Sequence, residues 1–212
     1  MKAYKEPSMY LDFESSEIQE IVAEFKNDSL SDVEKAKAIY LKIRDGWRYN
    51  PYTISMDRSK YKASNIAQQE EGHCVDKAIL LIACLRAVDI PARLRLAKVT
   101  NHIAVERLME RFGTNVLTPH GMVDVYIDNK WVKATPAFNK ELCELVHVAP
   151  LEFDGENDSV FQEFNTEGQQ FMEYLEDYGY FDDVPLDFMM ENLKTNYPKV
   201  FRDDDGIVEY RF

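Results

Sequence analysis

Three residues could do chemistry together if the fold brings them near one another: Cys74, His120 and Thr135. A thiol nucleophile needs a base within hydrogen-bond reach and a third group that orients the base. Cys74 follows Gly72, which gives the chain a sharp bend, and falls in the first turn of a helix. There the unpaired backbone N–H groups and the positive end of the helix dipole favour a thiolate. Of the four histidines, His73 adjoins the cysteine, but successive helical residues point in different directions. His147 follows a short helix without polar partners nearby, and His102, at the end of a strand, stays in reserve. His120 ends a strand on a face with hydrogen-bonding neighbours and is the best base.

These residues need elements to hold them. From Ala78 to Leu85 every residue is apolar, the mark of a helix enclosed by the protein. Pro91 stops it, and Ala92–Val99 reads as a strand. Asp128-Asn129 between two alternating runs predicts a two-residue hairpin. Pairing across that turn sets Ile127 opposite Lys130, Tyr126 opposite Trp131, Val125 opposite Val132 and Asp124 opposite Lys133. Val123, Val125, Val132 and Ala134 then form a core face. His120, Met122, Asp124, Tyr126, Trp131, Lys133 and Thr135 share the other, wetter face. Thr135 lies diagonal to His120, within side-chain reach.

Upstream, residues 15–27 read as an amphipathic helix capped by Ser15 or Ser16. A second helix starts at Ser31, where Ser31 and Glu34 form a capping-box pattern. A short helix capped by Ser64 is expected at 65–69. Downstream, a short helix spans Asn139 to Val146, and the stretch around Met172 is strand or helix. A last amphipathic helix runs from Pro185 to Asn196. Arg86 and Arg93 suit structural ion pairs, and Tyr126 and Trp131 a cross-strand aromatic pair. Helices followed by a hairpin-rich part give an α+β class, a buried helix carrying Cys74 packed on an antiparallel sheet. Residues 1–212 read as one domain, with a core at about 31–140 and residues 141–212 as an extension packing on it.

Gly72-His73-Cys74 opening an apolar helix, Leu85-Arg86-Ala87, Ile90-Pro91-Ala92-Arg93, His120 four residues before Asp124, and Trp131-Val132 on the next strand resemble the transglutaminase-like, papain-related superfamily over roughly residues 35–140. The resemblance implies a cysteine that attacks an amide carbonyl, a histidine base, and an aspartate on the following strand that orients the histidine. Members include peptidases, amidases, acyltransferases and proteins that have lost catalysis. Mapped by the tryptophan spacing, the aspartate position falls at Thr135, which carries no negative charge. Two substitutes are open: Asn139 as a neutral orienting amide, or a carboxylate such as Asp154 folding back. The oxyanion hole would take the Cys74 N–H and, by the resemblance, a donor from upstream: Trp47, Tyr49 or Tyr52.

The expected activity is thiol-dependent cleavage or transfer at an amide or peptide bond through a Cys74 acyl-enzyme, without a cofactor. The alternative is an inactive binding or scaffold module on the same fold. A net charge of −13 argues against nucleic acid and anionic membrane partners. No apolar run approaches bilayer length, the first residues lack a signal-peptide core, and three scattered cysteines suit a reducing cytosol. Cysteine and histidine spacings match no zinc motif. Asp203-Asp204-Asp205-Gly206 hints at a calcium loop, but Phe201 stands where an acid belongs, so it reads as a solvated tail.

Overall fold

The computed structural model describes residues 1–27, 29–103, 105–204 and 207–210, with 201–204 and 207–210 described by backbone alone. The calcium reading therefore rests partly on residues, Asp205 and Gly206, that lie outside the described ones.

Helix α1 (Ser16–Val22) is capped by Ser15, whose hydroxyl accepts the Ile18 N–H, and tightens into a 3-10 turn at Ala23–Phe25. Helix α2 (Asp32–Gly46) carries the expected capping box: Glu34 N–H to the Ser31 hydroxyl, and Ser31 N–H to the Glu34 carboxylate. A two-residue strand β1 (Arg48–Tyr49) and α3 (Ala63–Ala67) follow. Lys62, not Ser64, precedes α3 as its cap, because the Ser64 hydroxyl and N–H are both bound by Asp12. Strand β2 (Glu71–Gly72) pairs in parallel with β1 and leads into α4 (Cys74–Ala87).

Helix α4 is the centre of the molecule. Every residue from Cys74 to Arg86 is buried, and the helix packs on α1, α2 and α3 and on β3 (Ala92–Asn101) and β4 (Val116–Ile127). An apolar surface all round demands such neighbours on every side. Its one enclosed ammonium, Lys77, donates to the carbonyls of Arg44 and Trp47 at the end of α2 and to that of Ala137, each within 2.8 Å. Carbonyls left over at a helix end thus find their donor inside the core, although burial lowers the Lys77 pKa to about 7.

The antiparallel sheet runs β5–β4–β3–β6, with β5 at Lys130–Ala134 and β6 at Met172–Phe181. Asp128 and Asn129 hold positive φ in the turn, and the pairs from Ile127–Lys130 to Asp124–Lys133 match the predicted register. Two side-chain expectations change. Asp124 is claimed by Arg93 and Arg95 from β3, while Lys133 turns to Asp158. Among the described residues Arg86 makes no ion pair: it donates to the carbonyls of Glu6, Ala92 and Asp182. Arg93 does pair, with Asp124, and stacks on Trp131 and Tyr180, while Tyr126 and Trp131 meet edge to face.

The larger correction concerns the face carrying His120, Met122 and Asp124. The alternation makes it the wetter face, yet all three are buried. After α5 (Val105–Arg111) and α6 (Lys140–Leu145) come residues 149–171, which fold back over this face. The segment is held by the Ser159 N–H to the Lys133 carbonyl and by the Tyr40 hydroxyl, which donates to the carbonyls of Thr135 and Leu151. Helix α7 (Leu186–Asn196) then lies on β4, and a terminal hairpin of β7 (Phe201–Asp204) and β8 (Ile207–Tyr210) closes the described chain. Among the described residues no helix is long and apolar enough to cross a membrane.

Candidate active site

The first turn of α4 meets β4 at Gly121. A Cβ there would stand 2.7 Å from the Val75 Cα, so only glycine lets the helix end reach the strand. That approach brings the Cys74 sulfur against the backbone on either side of His120. It lies 4.0 Å from the Pro119 carbonyl oxygen, and the Gly121 N–H points to it from the other side. The loop before α4 is equally constrained. His73 and Asp76 cap the helix reciprocally, the Asp76 carboxylate taking the His73 N–H and meeting its Nδ1. A side chain on Gly72 would collide with Asp76.

Cys74 is enclosed. The space beside it, about 20 Å³, is lined by Tyr49, His73, Phe112 and Pro119 and roofed by Met189, Leu193 and Tyr197. The roof is bolted down: the Tyr197 hydroxyl accepts the Thr118 N–H and donates to the Val116 carbonyl, and Asn192 accepts the Thr118 hydroxyl. Burial pushes the Cys74 thiol up to about 12, with Asp76 adding to the rise, against the lowering effect of the Gly121, Val75 and Cys74 N–H groups. The helix terminus alone favours a thiolate. Here desolvation wins.

His120 is 1% exposed and shares a second, separate space of about 10 Å³ with Thr135. The two side chains line one cavity, in keeping with the hairpin register. Neither imidazole nitrogen, nor the Thr135 hydroxyl, has a hydrogen-bond partner among the described residues. Burial pushes the imidazole down to about 4, and the nearby His73 pushes the same way. At neutral pH the two closed spaces therefore hold a thiol and a neutral imidazole, not an ion pair.

Neither expected substitute for the acid lines this cavity. Asn139 caps α6; its Oδ1 accepts the Tyr49 N–H and its Nδ2 donates to Glu141, so its amide is already engaged. Asp154 is exposed and organises its own turn, where the Asn157 side chain and the Asn157 and Glu156 N–H groups hold its carboxyl down to about 2. Of the upstream aromatics, Tyr49 lines the Cys74 space and packs on Phe138. Tyr52 packs on Phe112 and lines a different cavity of about 310 Å³. Trp47 is buried with its indole N–H unpartnered among the described residues, and its carbonyl is tied to Lys77, one turn along from Cys74. Among the described residues no group of three or more His, Cys, Asp or Glu side chains could hold a metal.

Several contributors escaped the sequence reading. Gly121 carried a signal, since a glycine inside a strand marks close approach of another backbone. Tyr197, Asn192 and Gln162, which also lines the His120 cavity, carried none.

Residues 19–136 match the family model of the transglutaminase-like superfamily. No curated protein matches the chain. Among solved structures, a "putative cysteine protease" from Cytophaga hutchinsonii aligns at 21% identity with a TM-score of 0.48. The alignment covers 63% of this chain and 40% of that protein's length.

Proposed function

The chain belongs to the transglutaminase-like superfamily, a family of thiol-dependent hydrolases and acyltransferases, and from that premise we propose that Cys74 forms an acyl-enzyme with an amide or peptide substrate, with His120 as its base. One observation carries the reading: the Cys74 sulfur, at a helix N-terminus, is seated against the residues that flank His120 in the chain.

The chemistry runs as a proton shuttle between neutral partners. His120 takes the Cys74 proton as sulfur bonds to the substrate carbonyl carbon, and the oxygen becomes an oxyanion. The Cys74 N–H faces that charge, and the role of second donor falls to the Trp47 indole N–H, buried without a partner among the described residues. The C–N bond then breaks, and the departing amine takes the proton from His120. Water attacks the resulting thioester, with His120 again as base, and frees the thiol. Hydrolysis is preferred to transfer because nothing marks a site for a second amine. The roof of Met189, Leu193 and Tyr197 must move before a substrate reaches the sulfur. Once water enters, the desolvation that holds Cys74 and His120 neutral is relieved.

A binding module on the same fold is favoured by a different observation. Among the described residues no carboxylate lines the His120 cavity, and Cys74 is 5% exposed. An activated ester separates the two readings. Incubation with p-nitrophenyl acetate and peptide mapping should find acyl groups on Cys74 in the unaltered protein and much less in His120→Ala. Acylation absent from Cys74, or unchanged in His120→Ala, selects the binding module.

A further inference from the structure

Four polar atoms without partners among the described residues belong to the side chains around the His120 cavity: both imidazole nitrogens, the Thr135 hydroxyl and Oε1 of Gln162. The remaining lining is apolar, namely Ala137, Phe138, Leu151, Val160, Phe161 and Met172. Among the described residues no charged side chain lines it. Leaving a buried polar atom unpaired is costly, so these three side chains call for a common partner.

The Gln162 amide is oriented by its own contacts. Its Nε2 donates to the Ala149 carbonyl at 2.8 Å and lies 3.8 Å from the Cys143 sulfur. Only an N–H₂ can meet a carbonyl, so the other amide atom, an acceptor, is the one left buried and unpaired. The space between these groups, about 10 Å³, is close to what a single water needs, and such waters typically make about three hydrogen bonds to polar groups.

We propose that one ordered water links His120, Thr135 and Gln162 Oε1, and that Gln162 is the positioning residue for the imidazole. A ring N–H would donate to the water, and the water would donate to the Gln162 oxygen and the Thr135 hydroxyl. The other ring nitrogen is then left as an acceptor for the Cys74 proton. This supplies, with neutral groups, the orientation that the superfamily resemblance assigns to an acid at position 135. It rests on the reading of His120 as base.

The test compares Gln162→Leu, Gln162→Glu and His120→Ala with the unaltered protein. The readouts are the tautomer and pKa of His120 by long-range ¹H–¹⁵N spectra and the pH profile of Cys74 alkylation by iodoacetamide. Gln162→Leu should mix the His120 tautomers and slow Cys74 alkylation about five- to tenfold, the worth of one hydrogen bond. Gln162→Glu should raise the His120 pKa by about one unit and shift the Cys74 profile to lower pH. If both variants keep the unaltered spectra and profile while His120→Ala abolishes the Cys74 response, Gln162 has no positioning role and the base reading stands. If His120→Ala changes nothing, the base reading fails and this inference fails with it. Alkylation of buried Cys84 reports unfolding. Should Gln162→Leu expose it, the result for Gln162→Glu decides.

Discussion

Gly121 and Val75 touch where α4 meets β4: a Cβ on Gly121 would lie 2.7 Å from the Val75 Cα. Backbone on backbone leaves nothing flexible to move aside. Gly121→Ala should therefore cost about 1–3 kcal/mol as overpacking and push Cys74 away from Pro119 and His120. A denaturant midpoint gives the first effect, and Cys74 acylation by an activated ester the second. A variant with unaltered stability and acylation would mean that this contact does not set the site.

Trp47 keeps a buried indole N–H with no partner among the described residues. If that N–H meets the oxyanion, Trp47→Phe keeps most of the packing and removes only the donor. Acylation of Cys74 should fall about 100-fold, while the melting temperature changes little. Equal rates in the two proteins would shift the role to Tyr49, which lines the Cys74 space.

The roof over Cys74 is held by Tyr197 and Asn192, which bind the backbone and side chain of β4 at Val116 and Thr118. Tyr197→Phe removes two of these hydrogen bonds, worth about 1 kcal/mol each. Iodoacetamide should then reach Cys74 severalfold faster, with Cys84, buried elsewhere in α4, unaffected. Parallel acceleration of both cysteines would indicate general loosening instead.

Acid should weaken the fold through His120. Its folded pKa, about 4, lies below the ordinary 6.5 because burial penalises the imidazolium, with His73 contributing. The unfolded chain thus binds the proton more readily, so this contribution is fully present above pH 6.5 and is lost as pH falls from there towards 4. Melting temperatures between pH 4 and 7.5 should decline less steeply in His120→Leu than in the unaltered protein. Parallel curves would show that His120 is not desolvated.

The parts of the fold that depend on near neighbours in the chain were legible in advance. A two-residue turn at Asp128-Asn129 leaves one register for the hairpin, so Thr135 arrives beside His120. The apolar run from Ala78 to Leu85 demanded enclosure, and Ser31 with Glu34 marked the start of α2. What could not be read depends on chain far from the site. His120 is buried by Leu151, Phe161, Gln162 and Met172, whose stretch shows no clear periodicity. The loss of water that lifts the Cys74 pKa likewise comes from α7, about 115 residues on from the cysteine. Local pattern gives a helix dipole; only the tertiary cover decides whether burial outweighs it.

The most direct test is the rate of Cys74 alkylation by iodoacetamide against pH, read peptide by peptide, in the unaltered protein and in His120→Ala, with Cys84 as the internal reference. In closed molecules the thiol, pushed up to about 12, contributes nothing at neutral pH. In opened ones His120 can take its proton. The account predicts a Cys74 rate that rises through neutral pH, well below the ordinary thiol range near 8.5, and a loss of that rise in His120→Ala. A Cys74 profile that follows Cys84 and ignores the loss of His120 would contradict it.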